Sequence, residues 1–189
     1  GLRVVNTLRA EIIGNTLNGV GLTAVDSPHR AGIQLINVGS GRIDGNQVLN
    51  IGPSEKFSKD TAGIECLGTF ERIDITHNTV RRNEIFPKRA GDSRWFAVRL
   101  VSLASKDFLA VSASLSFAST GNLIYAFIGN RLLTLPRGRE IIGLQGNLLE
   151  SYGNAPVVSV NASGPLTFST NRCLLSTSGP EQPIVDASC

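Results

Sequence analysis

Charge is scarce in this chain. Charged residues make up 17% of its 189 residues and apolar residues 41%, a balance that excludes a charge-rich disordered segment. Aromatics are few, at 8 Phe, 2 Tyr and 1 Trp, and methionine is absent. No apolar run reaches the ~18 residues needed to span a membrane. No basic start followed by an apolar stretch marks a secretory leader. The three cysteines, Cys66, Cys173 and Cys189, are far apart and form no Cys-x-x-Cys pair, so the usual zinc spacings are excluded and no metal or cofactor is expected. Cys66 and Cys173 read as small apolar core groups. The net charge of +3 is mild. Its arginine blocks, Arg81-Arg82 and Arg137-Gly138-Arg139, lack aromatic neighbours. They therefore read as a solvated face rather than a stacking platform for nucleic acid.

What is abundant is a mixture that helices avoid. The chain carries 20 Gly and 14 Asn among many Ile, Leu and Val. Gly and Asn are poor helix formers, and Val and Ile prefer strands. The length suits one domain with its own core.

A repeat accounts for the mixture. The pattern apolar-any-any-Asn-any-apolar occurs at Ile12–Leu17, Ile43–Val48, Ile75–Val80, Phe127–Leu132, Leu144–Leu149 and Phe168–Cys173. Its asparagines are Asn15, Asn46, Asn78, Asn130, Asn147 and Asn171, and four of the six follow a glycine. They are separated by 31, 32, 52, 17 and 24 residues. The first two intervals look like one period, and the 52 looks like a gap holding a degenerate copy. A second strand type alternates with these copies, at Gly32–Leu35, Gly63–Leu67, Phe96–Val101, Val157–Val160 and Pro183–Asp186. Alternation at Ile33/Leu35 and Phe96/Val98/Leu100 is the period-2 mark of a half-buried strand. Ala104–Ser119 also alternates strictly and reads as a strand. Proline- and glycine-rich stretches such as 52–56 and 86–92 read as insertions between strands.

A unit of about 30 residues with two or three short strands cannot bury its own apolar face, whereas stacked copies bury a continuous core. Each strand then pairs in parallel with its equivalent in the next coil. The repeated Asn has a structural role in such a stack. Its side chain turns inward at a corner and bonds backbone groups of its own and adjacent coils, and the aligned amides form a ladder. Asn tolerates a left-handed corner, and the preceding Gly eases the turn.

These copies, alternating with Gly-Ile-x-Leu strands, resemble the right-handed parallel β-helix repeats of the pectate-lyase-like superfamily over nearly the whole chain. Asn171–Leu175 also resembles tandem Asn-x-Cys β-helix repeats of bacterial phage-tail-like systems. The resemblance implies an all-β fold, a single-stranded right-handed parallel β-helix of roughly six to eight coils, over residues 1–189 as one domain or as part of a longer chain. Members of the superfamily include polysaccharide lyases, polygalacturonases, epimerases, tailspikes and adhesins. The resemblance points to an extracellular, surface or particle-associated setting, though the residues themselves name no compartment.

An enzyme on this fold needs charged groups converging on one face. On the second strand type the outward positions are Gln34, Glu65, Arg99, Ser159 and Asp186, which would stack one above another about 4.8 Å apart. Glu65 and Arg99 are the catalytic candidates. Their alternative reading is a cross-strand ion pair on a solvated face. No Asp-x-Asp pair matches the polygalacturonase pattern. Asp26, His29 and Arg30 make a candidate polar ligand site in a loop. His77, where other copies have Gly, reads as exposed turn. Trp95 is either a stacking platform for a sugar ring or an ordinary strand-start anchor. Gly138, Gly143 and Gly146 lack the strand–loop–helix context of a phosphate loop. The leading expectation is a non-catalytic module that scaffolds a larger assembly, homotrimeric or bigger, or offers a surface to carbohydrate or protein partners. The rival is a lyase, hydrolase or epimerase acting on an acidic polysaccharide.

Overall fold

The computed structural model describes residues 1–21, 30–52, 60–82, 94–102, 117–120, 123–128, 131–136, 141–152, 157–162, 164–176 and 185–188. Among them are 17 strands and no helix. All strand pairings are parallel except within one small antiparallel sheet.

The parallel strands fall into three rows. Row one takes the first halves of β1 (Leu2–Ile13) and β3 (Arg30–Asp44), then β5 (Thr61–Gly68), β8 (Trp95–Ser102), β14 (Val158–Asn161) and β17 (Val185–Ser188). Row two takes the second halves of β1 and β3, then β6 (Arg72–Thr76), β12 (Ile141–Gln145) and β15 (Leu166–Ser169). Row three is β2 (Thr16–Asn18), β4 (Gln47–Leu49), β7 (Thr79–Arg81), β13 (Leu148–Tyr152) and β16 (Arg172–Ser176). Within each row a residue pairs with the one occupying the same place in the next level. Leu2, Ile33, Ile64, Val98 and Val158 align in row one. Ile12, Ile43, Ile75, Leu144 and Phe168 align in row two. Leu17, Val48, Val80, Leu149 and Cys173 align in row three. Apart from Leu2 and Phe168, which are exposed, these side chains build one core, in which Ile33, Ile43, Ile64, Ile75, Val80, Val98, Leu144 and Leu149 are fully buried.

The 52 and 17 intervals now have a cause. Asn78 stands next to Asn147 in the stack, 69 residues on in sequence. The extra chain lies between β8 and β12. It contains β9 (Phe117–Thr120), β10 (Leu123–Ile128) and β11 (Arg131–Pro136), an antiparallel sheet in which Phe127 pairs with Leu132. The expected repeat copy at Phe127–Leu132 therefore straddles two antiparallel strands and joins none of the three rows. Asn130 itself lies outside the described residues, as does most of the expected strand at Ala104–Ser119.

Row one departs from simple alternation where the chain enters it. Gly32, Gly63 and Ala97 drop out of the pairing register while their neighbours stay in it. The amides of Ala97 and Val98 both donate to the Val157 carbonyl, the pattern of a bulge. The bulged residue faces row three across a narrow gap. A Cβ on Gly63 would lie 2.2 Å from Val80 Cγ1 and 2.9 Å from the Ala97 oxygen. Glycine is thus required by close approach, not by backbone angle. Gly63→Ala is expected to lower stability by about 1–3 kcal/mol, measured by urea unfolding, and Val80→Ala is expected to recover part of the loss. Destabilisation below a few tenths of a kcal/mol would show that the gap is looser than described.

Candidate functional site

The outward positions of row one come together as the alternation predicts. Gln34 aligns with Glu65, Glu65 with Arg99, Arg99 with Ser159, and Ser159 with Asp186. Gln34 Nε2 donates to Glu65 Oε2 at 2.7 Å, and Arg99 Nη1 donates to Glu65 Oε1 at 3.2 Å. Arg99 also approaches Asp60 at 3.8 Å, and Asp60 receives Arg94 Nη2 at 2.7 Å. The guanidinium carbons of Arg94 and Arg99 lie 5.2 and 5.6 Å from the centre of the Phe96 ring, within cation–π range.

This face is not solvated. Glu65 is 3% exposed, and Gln34, Ala62, Phe96 and Leu67 are buried with it. All eight residues of β5 are buried, so row one is covered on both faces at that strand, the usual condition of parallel strands. β10 comes up against β1 and β3 without pairing to either. The alternative of a weak surface ion pair is therefore corrected: Glu65 and Arg99 form a withdrawn pair, and both Glu65 oxygens are occupied.

Trp95 opens β8 and is 1% exposed. Its indole N–H donates to the Ile51 carbonyl at 2.9 Å, and the same carbonyl receives Arg82 Nη1 at 3.0 Å. The ring faces of Trp95 are taken up by packing and open to no sugar. Arg82 is buried, against the expectation that the Arg81-Arg82 block is solvated, and desolvation lowers its pKa to about 10. Arg81 does reach the surface, where it pairs with Glu150. Asp26 and His29 lie outside the described residues, and Arg30 begins β3 opposite Thr61.

The corner asparagines form a continuous chain of amides. In each step the backbone N–H of one Asn donates to Oδ1 of the next, from Asn15 to Asn46, Asn78, Asn147 and Asn171, at 2.9 to 3.0 Å. Each interior Nδ2 also bonds a carbonyl of the preceding level, as Asn78 does with Ile43 at 2.9 Å. The residue with the left-handed backbone is the one before Asn: Gly14, Gly45, His77, Gly146 and Thr170 all have positive φ. His77 Nδ1 lies 3.1 Å from Asp44 Oδ1. Hydrogen bonds from Thr76, His77 and Arg42 hold the Asp44 carboxyl down at about 2.

A second amide contact escaped the motif. Asn6 and Asn37 both have positive φ, and Asn37 Nδ2 donates to Asn6 Oδ1 at 3.1 Å. At the corresponding corner of the third level stands Gly68, also left-handed. Their signal in the sequence was an apolar-Asn pair, Val5-Asn6 and Ile36-Asn37, recurring at 31 residues. Asn50 repeats the contact at a third corner, donating to Asn18 at 3.0 Å.

No family model, curated protein or solved structure matches the chain. The site is therefore interpreted from its own chemistry. Removing one partner of a buried pair strands the other, at a cost of about 3–5 kcal/mol, whereas replacing all partners with apolar groups is often neutral. Glu65→Ala is expected to destabilise by that amount, and Gln34→Leu/Glu65→Leu/Arg99→Leu to restore most of it, as read from thermal and urea unfolding. Near-neutral behaviour of Glu65→Ala would mean the carboxylate is solvated after all.

Proposed function

We propose that the chain is a right-handed parallel β-helix module that acts as a non-catalytic scaffold, holding its outward faces toward carbohydrate or protein partners in a larger surface or phage-tail-like assembly. Three strand segments recurring at 31 or 32 residues, each stacked on its equivalent, support the β-helix. Crossovers between parallel strands of one sheet are overwhelmingly right-handed, which supports the hand.

One observation carries the non-catalytic reading. The best acid–base candidate, Glu65, is buried, and both its oxygens are held by Gln34 and Arg99. Glycoside cleavage needs a carboxyl that reaches the scissile oxygen and a second that reaches water or the sugar carbon. A carboxylate clamped in a covered row does neither. Exposed charge also lines row two, where Arg9–Glu11, Arg42–Asp44 and Arg72–Asp74 form a pair at each of three levels. Glu11, Arg42 and Asp74 align across the strands with alternating sign, a pattern suited to a polar, uncharged or zwitterionic surface.

Depolymerisation of polygalacturonate and alginate, followed by reducing ends and by unsaturated product, tests the reading. No turnover by the wild-type chain is expected, with any binding on a glycan array weakened by Arg42→Ala/Arg72→Ala and unchanged by Glu65→Gln. Turnover that disappears in Glu65→Gln would overturn it in favour of a polysaccharide-cleaving enzyme.

A further inference from the structure

Row two turns an open face to solvent, and one position on that face carries no side chain. In β12, Ile142 and Leu144 are fully buried, so Ile141, Gly143 and Gln145 are the outward residues. Gly143 pairs with Asp74 on one side and with Thr167 on the other. The result is a notch one residue wide, walled by Asp74, Thr167, Ile141 and Gln145.

Nothing in the fold asks for glycine there. Gly146 has a left-handed backbone and Gly143 does not. A Cβ on Gly143 would lie 2.7 Å from Asp74 Oδ1, and among the described residues it would meet no backbone atom within 4 Å. The far end of a surface carboxylate swings aside readily. Gly63 is the contrast, because its Cβ would strike the Ala97 backbone oxygen. Glycine weakens a strand, and where neither angle nor packing requires it, it marks a place where another molecule comes close to the backbone.

The polar groups beside the notch are oriented and still have capacity. Asp74 accepts Arg72 Nε at Oδ2, 2.6 Å, and Arg72 Nη2 at Oδ1, 3.3 Å. That fork fixes the carboxylate and leaves lone-pair capacity on Oδ1, the oxygen over Gly143. At the adjoining corner, His77 Nδ1 lies 3.1 Å from Asp44 Oδ1. Asp44 is held ionised by its hydrogen bonds from Thr76, His77 and Arg42, so Nδ1 carries the proton and Nε2 is the acceptor. The imidazole lies across bare Gly146, whose Cβ would fall 2.8 Å from Cδ2 and 3.3 Å from Nε2. Nε2 has no partner among the described residues, and the side chain is 72% exposed. His77 thus takes a left-handed corner that Gly14, Gly45 and Gly146 fill at other levels, and presents a fixed acceptor there.

Charge selects the occupant. Arg42 with Asp44 and Arg72 with Asp74 leave their two levels neutral. The outward residues of the next two levels, Ile141, Gly143, Gln145, Thr167 and Ser169, carry no charge. An acidic polymer would meet the Asp74 carboxylate at the notch. A neutral sugar instead offers hydroxyls that donate to Asp74 and to Nε2 and accept from Gln145 and Thr167. It also offers a C–H face to Ile141, an exposed apolar side chain. We propose that the Gly143 notch, with Asp74 and His77 beside it, binds a sugar residue of a neutral glycan. The proposal rests on the scaffold reading and narrows its outward partner to an uncharged carbohydrate on row two.

Affinity electrophoresis of the 189-residue chain through gels carrying dextran, galactomannan or hydroxyethylcellulose tests it, with polygalacturonate as the acidic comparison. Retardation by at least one neutral polymer is expected, and none by polygalacturonate. Gly143→Leu fills the notch and is expected to weaken binding to the retarding polymer about tenfold. His77→Gly is expected to weaken it by a similar factor, with the urea unfolding midpoint unchanged or raised, because glycine takes that corner without strain. A purely structural His77 would give the reverse, a lower midpoint with binding intact. Arg172→Ala, outward on row three, is expected to change neither. No retardation by any neutral polymer, retardation by polygalacturonate as strong as by the neutral ones, or binding indifferent to both Gly143→Leu and His77→Gly would each overturn the proposal. Those outcomes leave the scaffold reading standing, since it fails only if the chain cleaves polygalacturonate or alginate.

Discussion

The corner amide chain is the constraint on which the rest of this structure depends. A parallel stack leaves backbone groups at every corner that no strand partner reaches, and buried groups of that kind cost about 1–3 kcal/mol each when unpaired. Asn78 answers several at once. Its N–H and Nδ2 reach Asn147, Nδ2 reaches the Ile43 and Thr76 carbonyls, and Oδ1 receives both nitrogens of Asn46. No apolar side chain offers both a donor pair and an acceptor at that reach. Each level must bring an Asn back to the same corner for the next amide to find it, whether after 31 or 32 residues or after 69 or 24. The left-handed residue before it follows too, since the turn must aim the amide inward. Glycine supplies that conformation without strain, while His77 and Thr170 accept a cost of order 1 kcal/mol, which the stacked amides on either side offset.

With the corners held, the strands deliver apolar groups to a common interior and polar groups outward. Row one shows how far this can go. Around Gln34 and Glu65 its outward side is itself covered, so the polar residues there have to satisfy one another, and the string Gln34–Glu65–Arg99–Asp60–Arg94 does so. The same register that brings catalytic groups together on an open sheet brings these together in a closed one. The difference between a reactive pair and a structural one is set by cover and by saturated oxygens, not by spacing. On that ground the proposed role is a scaffold, and the exposed Arg–acid pairs of row two are its outward face.

Much of this was legible in the residues. The 31 and 32 intervals, the inward Asn at Asn15, Asn46, Asn78, Asn147 and Asn171, and the adjacency of Glu65 with Arg99 all follow from periodicity, which is a local signal. What was not legible depends on distant chain. Alternation says that Glu65 points opposite to Ile64, but not that something lies over it. Arg82 adjoins a solvated arginine and carries no mark of its burial beside Trp95. The copy at Phe127–Leu132 satisfies the motif letter for letter, yet Gly-Asn between apolar runs is equally the signal of an antiparallel hairpin, and non-local pairing decides between them. Asn6 and Asn37 lacked the motif's preceding Gly, because at that corner the Asn takes the left-handed conformation itself.

The most direct test of the central role of the amide chain is hydrogen exchange on Asn78→Ala. The account predicts lost protection at the neighbouring levels, centred on the amides of Asn46, Asn78 and Thr79, with a stability loss of about 2–4 kcal/mol, while the same change at Asn171, which among the described residues bonds to one neighbouring level, costs clearly less. Equal small losses at both positions, with protection intact around Asn46, would contradict it.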